Sequence, residues 1–175
     1  MENIIKIDKY LHDAEHGDFE SQFKLGEIYQ ENNDLKKAFS WYTKSALGGH
    51  IEAQHKLGVL YHAGLGIEEN LAKAEYWYKQ AAEQGLSNAQ NSLGCMLLNS
   101  GDYSAAVIWI RKAAKQGNIN AQYNIANILF EGKYVKKDTN EALSFYIEIM
   151  ERSGYADIAR NPVIDKIVLI NNSPI

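Results

Sequence analysis

Ala74-Glu-Tyr-Trp-Tyr-Lys-Gln-Ala-Ala-Glu-Gln-Gly85 decides how the chain is read, because it recurs. It returns as Ala106-Val-Ile-Trp-Ile-Arg-Lys-Ala-Ala-Lys-Gln-Gly117, and stands earlier as Ala38-Phe-Ser-Trp-Tyr-Thr-Lys-Ser-Ala-Leu-Gly-Gly49. A worn copy follows as Ala142-Leu-Ser-Phe-Tyr-Ile-Glu-Ile149. A second phrase alternates with it: Ser21-Gln-Phe-Lys-Leu-Gly-Glu-Ile-Tyr29, Ala53-Gln-His-Lys-Leu-Gly-Val-Leu-Tyr61, Ala89-Gln-Asn-Ser-Leu-Gly-Cys-Met-Leu97 and Ala121-Gln-Tyr-Asn-Ile-Ala-Asn-Ile-Leu129. Two helical phrases in strict alternation predict an all-α solenoid of about four helix pairs, because one pair cannot bury its apolar face alone.

The spacing locates the pairs. The first-helix anchor falls at Leu25, Leu57, Leu93 and Ile125, and the second-helix aromatic at Trp41, Trp77, Trp109 and Phe145. The connection inside a pair is short at Asn33-Asp34 and Ser100-Gly101-Asp102, and four residues longer at Gly64-Leu-Gly-Ile67 and Gly132-Lys-Tyr-Val135. Asp or Asn there suits a helix N-cap. Gly49, Gly85 and Gly117 close the second helices as left-handed caps. Ser87 with Gln90 matches a capping box. Gly26, Gly58, Gly94 and Ala126 are small where helices must approach, and the Trp and Tyr rings are expected to fill the wedges beside them.

The repeats are expected at 17–48, 49–84, 85–116 and 117–153. Residues 1–16, with Ile4, Ile7 and Leu11 on one face, would form an N-terminal capping helix. Residues 154–175 would cap the other end. Asn161-Pro162 can open a last helix there, while the β-branched run 163–170 equally suits an extended segment.

Composition narrows the function classes. A net charge of −4 argues against a nucleic-acid partner, which requires a basic face. The single cysteine, Cys95, excludes an internal disulfide. The first residues lack a basic leader followed by an apolar run, and no apolar run nears the roughly 20 residues that span a bilayer. A cytoplasmic protein without membrane insertion is expected.

The phrases resemble Sel-1-like repeats, a branch of the tetratricopeptide superfamily. The set Ala53, Leu57, Gly58, Tyr61, Gly64, Gly66, Ala74, Trp77, Tyr78, Ala81, Ala82 and Gly85 carries nearly the whole unit in one repeat. Gln22, Gln54, Gln90 and Gln122 stand where the plain tetratricopeptide pattern has Trp, and its closing Pro is absent. The short turns of the first and third pairs depart toward the plain pattern. The resemblance implies a right-handed superhelix that acts as a protein-binding scaffold or adaptor, without a reaction of its own.

The resemblance also implies that first helices line a concave groove. Counting from the buried anchors, the groove-facing residues are Phe23, Glu27 and Gln30; His55, Val59 and His62; Asn91, Cys95 and Leu98; and Tyr123, Asn127 and Phe130. Aromatics mixed with amides and imidazoles suit an extended peptide, since amides both donate and accept. His55 and His62 would make such binding sensitive to pH between about 5 and 8. Half-buried contacts between helices are the competing reading for each of the twelve.

No catalytic set and no cofactor are expected. His12 and His16 have the i, i+4 spacing of two zinc ligands, but nothing nearby completes a site, so a solvated face is preferred and no metal is assigned. Gly64-Leu-Gly66 lacks the rest of a phosphate loop and joins two helices. Ser87 is outside a nucleophile elbow. Cys95 fits either core or groove. The expected partner is a protein or peptide bound in the groove. Alternatives are a bacterial immunity-type protein that neutralises an effector by direct binding and, from another class, a hydrolase.

Overall fold

The computed structural model describes residues 2–153 together with 165, 166 and 168. The described residues hold helices and turns and no strand. The helices are α1 (Glu2–Glu15), α2 (Phe19–Glu31), α3 (Leu35–Leu47), α4 (Ile51–Ala63), α5 (Leu71–Glu83), α6 (Ser87–Ser100), α7 (Tyr103–Lys115), α8 (Ile119–Glu131) and α9 (Thr139–Ser153). This is the expected all-α helix-pair class. The expected helix opening at Asn161-Pro162 lies outside the described residues. Of the run 163–170, only Asp165, Lys166 and Val168 are described, and they are helical. The chain divides into two compact units, Met1–Gln90 and Asn91–Ile175, with the boundary inside α6.

In the first unit the anchors Leu25 and Leu57 are fully buried. What seats the second helix against the first is a missing side chain. A Cβ on Gly26 would lie 2.5 Å from the Tyr42 ring, and one on Gly58 would lie 2.6 Å from the Tyr78 ring. Both tyrosines are buried, so each ring lies directly on first-helix backbone. Their hydroxyls still need partners, because a buried unpaired hydroxyl costs about 1–3 kcal/mol. Tyr42 Oη donates to Gln30 Oε1 at 2.7 Å, and Tyr78 Oη lies 3.4 Å from His62 Nδ1. The wedge is therefore filled by tyrosine. Trp41 and Trp77, expected to share it, are half-buried at its margin, and Lys44 Nζ lies 4.0 Å from the centre of the Trp41 ring.

The glutamines at the atypical position have a defined job. Gln22, Gln54 and Gln90 each send Nε2 back eight residues, to the carbonyls of Ala14, Ala46 and Ala82, at 2.9, 3.3 and 3.1 Å. Those carbonyls end the preceding helix, where backbone acceptors lack helical partners. α1 is tied in this way by Gln22 and covers α2 with buried Ala14 and half-buried Ile7 and Leu11.

Asp18, Asp34 and Asn70 cap α2, α3 and α5 through their side-chain oxygens. α4 is capped by an imidazole: His50 Nδ1 accepts from the Ala53 N–H at 3.3 Å, and Nε2 donates to Glu20 Oε2 at 2.9 Å. The expected capping box at Ser87 is corrected. Ser87 is already the first helical residue, the Gln90 N–H bonds the Leu86 carbonyl, and Gln90 Nε2 goes to Ala82.

The second unit repeats the scheme with substitutions. Leu93 and Ile125 are buried anchors. A Cβ on Gly94 would collide with Ile110, which replaces the tyrosine. In the last pair Ala126 replaces glycine, and buried Tyr146 donates to Asn127 Oδ1 at 2.8 Å. Gln122 departs too: its Nε2 donates to Glu148 Oε2 at 2.7 Å, and its Oε1 is buried without a partner. Trp109 is half-buried here as well.

Gly58→Ala is expected to cost about 1–3 kcal/mol in urea unfolding, the usual range for overpacking, because the new methyl would meet the buried Tyr78 ring. Gly85→Ala should act differently, with an open site but φ at +99°. Its cost would be strain at a positive φ, so pairing it with Tyr78→Phe leaves it unchanged, whereas Gly58→Ala couples to Tyr78.

Candidate partner-binding surface

The twelve expected groove residues separate by unit and by role. In the first unit, Phe23, Glu27 and His55 line one open cleft of about 400 Å³, with Lys24 and Lys56 beside them. Phe23 forms its floor. The ring is buried, stacked on His50 with centroids 4.5 Å apart. Glu27 is held by Lys24 Nζ at 2.9 Å. Glu27 and Lys56 also border a neighbouring cleft with Gln30 and Tyr42. Val59 is half-buried. Gln30 and His62 face the tyrosine hydroxyls and support the wedge, so neither is a free groove contact.

Burial controls the chemistry of this cleft. It pushes the His55 pKa down to about 4, with Lys56 adding a smaller push in the same direction. The expected pH sensitivity between about 5 and 8 is thereby corrected for His55, which stays neutral across that range. Burial likewise raises the Tyr42 hydroxyl, helped by Glu27 and Glu31, so it remains a donor to Gln30.

In the second unit, Asn91, Cys95 and Asn124 form a small polar cluster. Asn124 Nδ2 donates to Asn91 Oδ1 at 3.0 Å and lies 3.3 Å from Cys95 Sγ. Burial raises the Cys95 thiol pKa, which favours the protonated thiol. Leu98, Tyr123 and Phe130 are partly buried against the core. Phe130 also carries ammonium groups near its face, Lys137 Nζ at 5.4 Å and Lys166 Nζ at 4.9 Å. Asn127 is committed to Tyr146, whose hydroxyl burial pushes up to about 12.

The residues missed from the sequence are Lys24, Lys56 and Asn124. All three sit one place before the anchors Leu25, Leu57 and Ile125. The signal was the polar residue at that place in every copy, counting Ser92. At the N-terminal helix, His16 Nδ1 donates to the His12 carbonyl at 2.6 Å, and the two rings stack with centroids 4.4 Å apart.

The family model described as Sel1 repeat matches residues 19–50, 51–86, 87–118 and 119–148. The chain belongs to the Sel1 repeat family. Among solved structures, it is similar to c5321, a protective antigen of uropathogenic Escherichia coli strains displaying an SLR fold. The TM-score is 0.80 at 33% identity, over 83% of this chain and 33% of that one. It is also similar to a Sel1 repeat protein from Oxalobacter formigenes, with TM-score 0.72 at 32% identity over 78% of this chain and 57% of that one. The chain thus spans a third to just over half the length of these relatives. The immunity protein Pa5087 from Pseudomonas aeruginosa shares the fold, with TM-score 0.53 at 21% identity over 78% of this chain and 56% of that one. Among the described residues, no helix is long and apolar enough to cross a membrane.

Two predictions follow from the Sel1 geometry. Asn127→Ala should cost about 1–2 kcal/mol of stability, by stranding the buried Tyr146 hydroxyl. Tyr146→Phe in the same chain should recover part of it, which a double-mutant cycle on urea unfolding reads directly. The second concerns acid. His55 is neutral in the folded chain down to about pH 4, while the unfolded chain takes up this proton near 6.5. Its contribution to stability is therefore full above pH 6.5 and lost as pH falls toward 4. His55→Gln should remove on the order of 2 kcal/mol from the stability difference between about pH 7 and 4.5.

Proposed function

We propose that the chain is a non-enzymatic interaction module, and that its partner is a protein or peptide bound on the first-helix face. The repeats at 17–48, 49–84, 85–116 and 117–153 would supply that face, with 1–16 and 154–175 as caps. The observation that carries this is the cleft between α2 and α4. It places an aromatic floor, Phe23, next to the neutral imidazole of His55 and to charges of both signs, Lys24, Lys56 and Glu27. An extended peptide needs all three: apolar area, a hydrogen-bonding group and flanking charge. In the second unit, Asn91, Tyr123 and Phe130 offer a similar mixture, while Asn127 supports them from behind by holding Tyr146.

Direct neutralisation of a toxic effector is a second use of such a face. Its support is the likeness to Pa5087, which extends to the fold alone.

A random peptide library displayed on phage tests the proposal. Wild-type chain should enrich related peptides. Lys56→Glu and His55→Ala should each weaken the selected peptides by about tenfold or more, corresponding to about 1.4 kcal/mol. Tyr76→Ala, at an exposed ring on α5, should leave them unchanged. Peptides that bind both cleft variants as tightly as wild type would place recognition elsewhere.

A further inference from the structure

The two long turns open and close alike and carry opposite charges, although Gly66 has a φ of 76° where Tyr134 in the second turn has no positive φ. Gly64–Asn70 and Gly132–Asp138 each open on a left-handed glycine, with φ of 63° and 67°. Each closes through one backbone bond, from Asn70 N to the Tyr61 carbonyl at 2.8 Å and from Asp138 N to the Leu129 carbonyl at 3.0 Å. Each borders an open cleft, of about 350 Å³ and about 500 Å³ respectively. At matching places the first turn has Glu68-Glu69 and the second Lys136-Lys137, and Lys133 stands where Leu65 does. All of these are exposed.

The opening glycine and the closing bond are the same in both turns, so neither depends on the sign of the charges. Helix electrostatics favour only one of them. Carboxylates suit the positive N-terminal end of α5, whereas Lys136 and Lys137 face the same end of α9 against its dipole. Among the described residues, no ion pair engages Glu68, Glu69, Lys133, Lys136 or Lys137. Lys133 and Lys137 lie over the Tyr134 and Phe130 rings, which leaves their charges unneutralised. The molecule whose charges match both turns is this chain itself.

We propose that a second copy docks head to tail, the lysine turn of one chain against the glutamate turn of the next. Leu65 and Tyr134 would meet at the centre of the contact, with the charges around them. One such contact leaves a turn of each sign for further copies, and two such contacts close a symmetric pair. Each contact is also small, which makes it weak and dependent on ionic strength.

Sedimentation velocity over a concentration series, at about 20 mM and about 500 mM salt, tests this. The expected result is association that grows with concentration at low salt and disappears at high salt. Glu68→Lys/Glu69→Lys and Lys136→Glu/Lys137→Glu should each weaken it by about tenfold or more, and an equimolar mixture of the two variants should regain it. Glu75→Lys/Glu83→Lys changes net charge as the glutamate-turn variant does, on an exposed face of α5, and should leave association intact. If lysines unfold the start of α5, Glu68→Gln/Glu69→Gln takes their place with a smaller weakening expected. A monomer at both salts, turn variants that match the α5 control, or a mixture that stays monomeric would each overturn the proposal.

Discussion

At one point in each of the first three pairs, two helices are closer than any side chain allows. Gly26, Gly58 and Gly94 mark those points. The ring of Tyr42 or Tyr78, or the branched chain of Ile110, rests on bare backbone there, and the rest of the pair is arranged to keep it in place. A ring held so tightly brings its hydroxyl to a fixed spot, so the first helix must carry an acceptor at that spot. Gln30 meets this need for Tyr42 and His62 lies opposite Tyr78. Where Ile110 has no hydroxyl, the matching residue, Leu98, is apolar. Where Ala126 replaces glycine, the acceptor moves to Asn127. One steric constraint thus dictates residues a full turn away.

The same constraint explains why the face available for binding is smaller than the sequence suggests. Gln30, His62 and Asn127 read as groove residues because they are polar and point away from the anchors. Gln30 and Asn127 accept from buried tyrosine hydroxyls, and His62 lies 3.4 Å from a third. Under the proposed function, what remains for recognition is the cleft over Phe23 in the first unit, and in the second the surface around Asn91, Tyr123 and Phe130.

The fold was legible because its cause is periodic. Repetition of Leu25, Leu57, Leu93 and Ile125 at nearly constant spacing can be counted, and burial follows from it. Glycine at recurring places likewise announces close approach. The candidate surface was less legible because its determinants are pairwise. Nothing in the spacing distinguishes Asn91, bonded to Asn124 at the surface, from Asn127, spent on Tyr146. Nor does it show that His55 is desolvated while His50 serves as a helix cap. The tryptophans misled for a related reason: size suggested burial, but the wedge accepts a ring one residue further along.

The glutamine contacts of the first unit bear on where this kind of chain can change length. In each, the side chain reaches back eight residues to a carbonyl that ends the preceding helix. An amide cannot stretch, so the connector between one pair and the next has a fixed number of residues. The connector inside a pair bears no such tie, and there the chain has two lengths, differing by four residues, with the same glycine-and-ring contact on either side. Insertion and deletion are thereby channelled to one kind of turn. Those turns can diverge in size and charge while the stacking of helices stays the same, so variation collects where it costs the fold least.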